Sequence, residues 1–492
     1  MKYKIIGIVM AAVMVAAAFL ALPMETVEQT GGRIHQHLSS RKDTGCDCDG
    51  SQLCSHLPLV IIDTGGQTIP GTPTEERDMF GQPIYTTAED GSSTIRAQVS
   101  VVDNGDSNNH SGDEADISTL CELRLRGNSS RRFPKMPYSL KFINEDGSSN
   151  DLEVMGMGAH HDWALHGPIL DKTMIRNYMW YNIAGEIMEY APNTRFCELV
   201  LNGEYQGLYL MVETITDGED CRLNLTRNVR GTEMSGYLLR VDRPVEADLE
   251  TDRDVYTYLE RSSQIMRDVA IRFPGKSDLT PELAEEIELD YAVFEKCLYS
   301  YDHDTEDYGY WNWIDVDNFV DYFLINEFTG NLDAGSYSTY IYKEVGGKYK
   351  LCVWDFNNAC DNYQEDETEP AEFHMTEAIW YFMLLKDEEF VERILERYEQ
   401  LRQTYLSDEY LMEYIDDTLE YLGPALERNN QRWAAEIEGW EGLLPAERNL
   451  HSHGEAVAQL KEWLLARGAW LDAHIDILRQ YSHPSRNKVY NH

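Results

Sequence analysis

"NLDAGSYSTYIYK" (residues 331–343) and, shortly after it, "CVWDFNNA" (residues 352–359) place two aspartates in unlike settings. Asp333 stands among small polar residues just past an apolar run. Asp355 is wedged between Trp354 and Phe356 at the end of a strand-like stretch, and the residues from Tyr337 to Phe356 read as a pair of strands. Taken singly, Asp333 reads as a turn former and Asp355 as a strand end. What precedes them in the chain gives them a joint meaning.

Upstream, "RLRGNSSRRFPKMPYSLKF" (residues 124–142) puts a Gly-Asn-Ser-Ser turn between two strands, with Lys141 on the second. Such a tip exposes backbone N–H groups that can cover phosphates, and a lysine on the strand below can pair with them. Arg126, Arg131 and Arg132 add positive charge to an otherwise acidic chain. "DKTMIRNYMWYNIAGEIMEYAP" (171–192) has helical spacing, with Asp171 as the N-cap and Pro192 beyond the end. "RFCELVLNGEYQGLYLMVETI" (195–215) is two strands around an Asn-Gly turn, the second carrying Glu213 into a connecting segment. After about residue 280 helices dominate, interrupted by the strand pair that carries the two aspartates.

The order is lysine strand, helix, two strands, connection, helical part, aspartate, short strand pair, D-F-x. That is the order of parts in a protein kinase. Asp355 then stands where a kinase holds its magnesium, and Asp333 beside the reacting hydroxyl. A kinase catalytic loop carries an Asn five residues after its Asp; here that position is Ser338, whose hydroxyl is a weaker metal ligand.

Bulk properties agree. The chain has 492 residues, 42% of them hydrophobic, and a formal net charge of -44. That is enough for a large two-lobed domain or two domains, and the acidity excludes nucleic acid as a partner while suiting divalent cations or a basic protein. Lys2 and Lys4 precede an apolar run from Ile5 to Ala21, which reads as a secretory signal or an uncleaved signal-anchor. Of nine cysteines, Cys46, Cys48 and Cys54 cluster in "CDCDGSQLC". With His35, His37 or His56 they offer zinc ligands, but the spacing matches no standard site, and a disulfide or a free thiol is the preferred reading. The scattered cysteines read as small core residues, and His160, His161, His451 and His453 as solvated or capping groups. "PGKS" (274–277) is no phosphate loop, because Ala270 stands where the first Gly is required, and G-x-S-x-G is absent. Ten Trp and thirty Tyr suit sugar stacking, but the order of parts does not support a glycosidase.

With those residues in place, the chain resembles the CotH kinase family, the spore-coat protein H group of atypical secreted or spore-associated kinases. The similarity runs from about Leu57 to about Leu478 and is carried by "LPLVIIDTGGQTIP", "RLRGNSSRRFPKMPYSLKF", "DKTMIRNYMWYNIAGEIM", "NGEYQGLYLMVETI", "NEFTGNLDAGSYSTYIYK", "VWDFNNACDN" and "RNNQRW". The resemblance implies an α+β, kinase-like, two-lobed fold and ATP-dependent phosphorylation of protein Ser/Thr with Mg²⁺ or Mn²⁺. It implies Asp333 as the catalytic carboxylate and Asp355, with Ser338, at the metal. Lys141, Arg126, Gly127, Asn128, Ser129 and Glu213 make up the expected nucleotide set. The family commonly reads W-D-F-D, whereas this chain has Asn357, which weakens any second acidic ligand. Expected divisions are 1–24 signal or anchor, 25–56 polar tether, 57–480 kinase-like domain (a β-rich N-lobe to 215, a mostly helical C-lobe from 216) and 481–492 polar tail. The expected setting is the cell surface, the extracellular space or the spore coat, with a basic protein as substrate. Extracellular ATP is scarce, which favours action before export or the alternative, a non-catalytic kinase-fold binding protein.

Overall fold

The structure is a computed structural model that describes residues 33–39, 45–79, 81, 83–105, 107–167, 169–219, 222–227, 234–243, 253–255 and 268–484. The chain divides into two compact units, Met1–His35 and Gln36–His492. The first contributes only residues 33–35 to the described set, so the fold is that of the second, and the apolar run Ile5–Ala21 lies outside the described residues. Among those described, no helix is long and apolar enough to cross a membrane.

Seven strands close a barrel: β1 (Leu59–Asp63), β2 (Ile95–Val102), β3 (Ile117–Leu125), β4 (Tyr138–Ile143), β5 (Asp162–His166), β6 (Thr194–Leu201) and β7 (Glu204–Glu213). Their order is β5-β7-β6-β1-β2-β3-β4, with β4 paired back to β5. Every neighbouring pair is antiparallel except β1 and β6, which run parallel with Leu59 opposite Glu198. Alternation builds the interior: Ile95, Ala97, Val99 and Val101 of β2 are buried, while Arg96 and Gln98 point outward. Thr194 to Val200 of β6 are all buried because both faces are covered. Cys197 and Leu199 fill the barrel, and Phe196 packs 4.3 Å from the ring of Tyr178 on helix α1 (Arg176–Ile187). The Asn-Gly turn falls where the sequence put it, Asn202 and Gly203 both having positive φ, as a tight hairpin turn requires.

A second sheet has the order β9-β10-β8-β11-β12, from β8 (Tyr237–Asp242), β9 (Arg253–Val255), β10 (Asp268–Phe273), β11 (Thr339–Lys343) and β12 (Lys350–Cys352). The expected strand pair at 337–356 is thus one edge of a five-stranded sheet, completed by strands from the segment before residue 280. Leu239, Val241, Val269, Ile271, Ile341 and Leu351 turn one face into the main apolar core, against helices α2 (Pro281–Leu298), α3 (Val316–Thr329), α4 (Glu388–Arg402), α5 (Asp408–Arg432) and α6 (His453–His474). Local chemistry sets the helix ends: Thr280 accepts from Leu283 N–H and Asp315 from Asn318 N–H, while Gly330, in the left-handed conformation, stops α3. Of the scattered cysteines, Cys121, Cys197, Cys352 and Cys360 are buried core residues as expected, Cys297 is only half-buried, and Cys221 lies outside the described residues. The architecture is mixed α+β.

Candidate active site

Strand register brings the two aspartates together. In the β11–β12 hairpin Tyr340 faces Cys352, so residues before Thr339 and after Cys352 emerge at the same end of the sheet. Asp333 lies in the turns between Gly330 and β11, where its carbonyl accepts from Ser336 and Tyr337 N–H. Asp355 follows β12. Val241 of β8 pairs with Thr339, which brings a third carboxylate, Asp242, to that end. Asp333 is buried; its Oδ2 accepts from Asn358 Nδ2 at 2.8 Å, and its Oδ1 has no hydrogen-bond partner among the described residues. Burial pushes the Asp333 carboxyl above the usual carboxylate range, against the pull of Arg243 and Asn358. Asp355 keeps a little accessible surface, yet burial and then the charge of Asp333 push it up to about 7, with Arg126 pulling the other way and Asp242 adding to the rise.

Asp355 has φ 61°, a left-handed backbone that costs an ordinary residue about 1–2 kcal/mol. Helix α1 holds it there. Its backbone N–H donates to Tyr181 Oη at 3.0 Å, and that of Phe356 to Asn177 Oδ1 at 2.7 Å, from positions four apart on one helix face. Trp180 and Tyr181 flank the Phe356 ring at 6.2 and 5.9 Å between centroids. Arg176, at the start of the helix, donates to the carbonyls of Ala359 and Cys360. Arg176 is fixed in turn by Asp171, with the pair only 2% and 1% exposed and 2.5 Å apart. Ile175 occupies the N-cap position, but Asp171 performs the expected capping from further back by accepting Arg176 N–H at 2.8 Å.

The barrel supplies the facing side. Arg126, just beyond β3, donates to His166 Nε2 at 3.0 Å and lies 5.3 Å from the Trp354 ring centroid. His166 is half-buried; desolvation and then that guanidinium hold it well below its ordinary pKa, and its Nε2 accepts from Arg126. Gly127 has φ 89°, and a Cβ there would collide with Ser130 Oγ at 1.8 Å, so the turn requires glycine. Gly127 and Ser129 are exposed, Asn128 half-buried, and Ser129–Arg132 forms a single 3₁₀ turn.

The structure therefore gathers Asp333, Asp355 and Arg126, with the Gly127–Ser129 turn adjoining Arg126. It does not bring Lys141 to them. Lys141 is on the outward face of β4, paired with Glu122 at 3.9 Å and 41% exposed. It lies three residues, about 10 Å, along the strand from Tyr138, which neighbours Arg126's end of the barrel. Glu213 is buried at the end of β7, where it accepts from the backbone and side chain of Asn193. Ser338 is half-buried with φ 48°, and no hydrogen bond joins it to either aspartate among the described residues. Asn357 bonds Asn358 rather than a carboxylate. Asn358, Asp242 and Arg243 escaped the sequence reading, although the doubled Asn in "WDFNNA" was a visible signal for the first.

An oxygen-only donor set, negative charge beyond the cations beside it and one unbonded carboxylate oxygen suit a hard divalent cation. Arg126 and the exposed turn suit the phosphates such a cation accompanies. No curated protein matches the chain. The family model described as CotH kinase protein matches residues 123–471, most of the chain and all of the site described above, so the chain belongs to the CotH kinase protein family.

Proposed function

We propose that the chain is an exported or spore-associated protein kinase that transfers the γ-phosphoryl group of ATP to Ser or Thr of a basic protein, with Mg²⁺ or Mn²⁺. The observation that carries this reading is the meeting of Asp333, Asp355 and Asp242 at one sheet end, opposite Arg126 and its glycine turn. We take residues 57–215 as a nucleotide-binding lobe and 216–480 as the lobe that carries the aspartates. Asp355 holds the cation, with Asp242 as the neighbouring carboxylate, and Arg126 with the N–H groups of Gly127, Asn128 and Ser129 holds the phosphates. Asp333 takes the proton from the acceptor hydroxyl; burial makes it more basic than an ordinary aspartate, which suits that task. Asn358 orients it. When bound, the divalent ion supplies charge neutralisation along the phosphates.

The net charge of -44 favours acceptors flanked by Lys or Arg. The test is incubation of the full chain with labelled ATP and either metal, offering a basic and an acidic Ser-containing peptide at low and high salt. Transfer to the basic peptide that falls as salt rises, and that Asp355→Asn abolishes, is the expected result. No transfer and no nucleotide-induced rise in melting temperature in either metal would leave the non-catalytic binding protein as the better reading.

A further inference from the structure

We propose that Cys46, Cys48, Cys54 and His110 form a closed Cys₃His zinc site that clasps the segment before the barrel onto the β2–β3 connection. The inference is independent of the kinase reading. The three sulfurs and one imidazole nitrogen all lie within 4.8 Å of one another. Zinc bonds of about 2.0–2.3 Å set tetrahedral edges of roughly 3.3–3.8 Å, which small side-chain rotations here would reach. Cys46 Sγ and His110 Nε2 are already 3.5 Å apart.

The fourth ligand is remote in sequence, and pairing delivers it. Cys54–Ser55 forms a two-residue strand against Asn109–His110, with Cys54 directly opposite His110. Of the three histidines nearer in sequence, none joins the cluster: it gathers His110 instead, while His37 is engaged with Tyr178 Oη and His56 with the carbonyl of Tyr421. The ring of His110 is also aimed. Its Nδ1 faces Asp113 Oδ2 at 3.2 Å, and the same oxygen accepts His110 N–H at 2.9 Å and Asn104 Nδ2 at 3.0 Å. A carboxylate on one imidazole nitrogen, leaving the other for the metal, is the usual outer support of a zinc histidine. A disulfide would consume two sulfurs and leave this aim without a purpose; all three cysteines are free. A second close group, His160, His161 and Asp162, is weaker, because both nitrogens of His160 already bond backbone.

On binding, three thiolates and a neutral imidazole replace water on Zn²⁺, and the protons those four groups carried leave to solvent. Four protein ligands leave no open position, so the role is structural.

The experiment uses the full chain, purified under a thiol reductant without chelator, with zinc measured by elemental mass spectrometry. One zinc per chain is expected, and cobalt in its place should give the absorption of a tetrahedral thiolate site. His110→Ala and Cys48→Ser should each lose the metal, Asp113→Asn should weaken zinc affinity by about 10–100-fold, and Cys297→Ser, outside the cluster, should retain it. Should a variant fail to fold, alkylation of the wild type decides instead: zinc should shield Cys46, Cys48 and Cys54 and leave Cys297 unaffected. Wild type that takes up no zinc, a disulfide among the three cysteines in protein recovered without reductant, or full zinc retention in His110→Ala would each overturn the proposal.

Discussion

Asp171 and Asp355 are both drawn largely out of water, but only the first is given a full set of partners. Asp171 accepts from Thr173 through its N–H and hydroxyl, from Arg176 N–H and from the Arg176 guanidinium. Asp355 has another carboxylate as its strongest charged neighbour, and among the described residues no donor bonds its side chain. One acid is consumed by the fold; the other is held ready. The same helix serves both, because Arg176, Asn177 and Tyr181 transmit the rigidity of the satisfied pair to the backbone that presents the unsatisfied one. A buried charge that is fully bonded fixes geometry, whereas a buried charge left short of partners is where a ligand can contribute energy.

Breaking the satisfied pair should have the largest effect. Arg176→Ala leaves Asp171 buried without its cation and removes the guanidinium donors from the carbonyls of Ala359 and Cys360, so denaturant unfolding should show a loss of about 3–5 kcal/mol. A loss below about 1 kcal/mol would mean that the pair does not fix the site. Asp333→Asn should do the reverse: stability kept or raised, nucleotide binding kept, and phosphoryl transfer reduced by about 10²–10⁴-fold, because a proton acceptor is removed without a change of shape. Asp355→Asn should abolish metal-dependent nucleotide binding itself. Single-turnover assays beside binding isotherms would separate the two, and two variants that transfer as wild type does would remove both roles.

A smaller effect is expected with pH. The folded carboxyl of Asp355 is raised above its unfolded value, so the folded state binds more protons between about pH 4 and 7. Its contribution to stability is fully present below that window and is lost as pH rises through about 7. Metal-free protein should therefore lose melting temperature across the window relative to Asp355→Asn, and saturating Mg²⁺ or Mn²⁺ should flatten the difference. Identical profiles for the two proteins without metal would show that the acid is solvated rather than held.

What was legible in the sequence follows the same division. The Asn202-Gly203 hairpin, the Asp171 cap and the setting of Asp333 and Asp355 are local, and residue spacing reveals them. Barrel closure depends on Leu59–Ile62 running parallel to Glu198–Leu201, a pairing across more than a hundred residues that no local pattern encodes. Asp242 was invisible because it reaches the site only through the register of β8 on β11, and His110 because it reaches the sulfurs only through a two-residue bridge. Lys141 was picked for its place on a strand below a glycine turn. Alternation on β4 sends it outward, while Tyr138, Leu140 and Phe142 turn inward.

The smallest effect expected therefore belongs to that lysine, and it sharpens the comparison of charges held ready with charges already consumed. Its partner Glu122 lies directly across the strand pair, both side chains are well exposed, and such pairs contribute about 0–1 kcal/mol. Lys141→Ala should change stability within that range and leave nucleotide affinity where it was. Arg126→Ala is the matched control, since its guanidinium lies by Asp355 and Trp354 and, among the described residues, bonds only His166. Losing it should weaken ATP binding and, by removing a cation that restrains Asp355, push that carboxyl further up. Isothermal titration of ATP into both variants, at one salt and one metal concentration, decides which cation serves the phosphates. Should Lys141→Ala weaken binding and Arg126→Ala not, the phosphates lie against the outer face of β4 and the turn at Gly127 is only a hairpin.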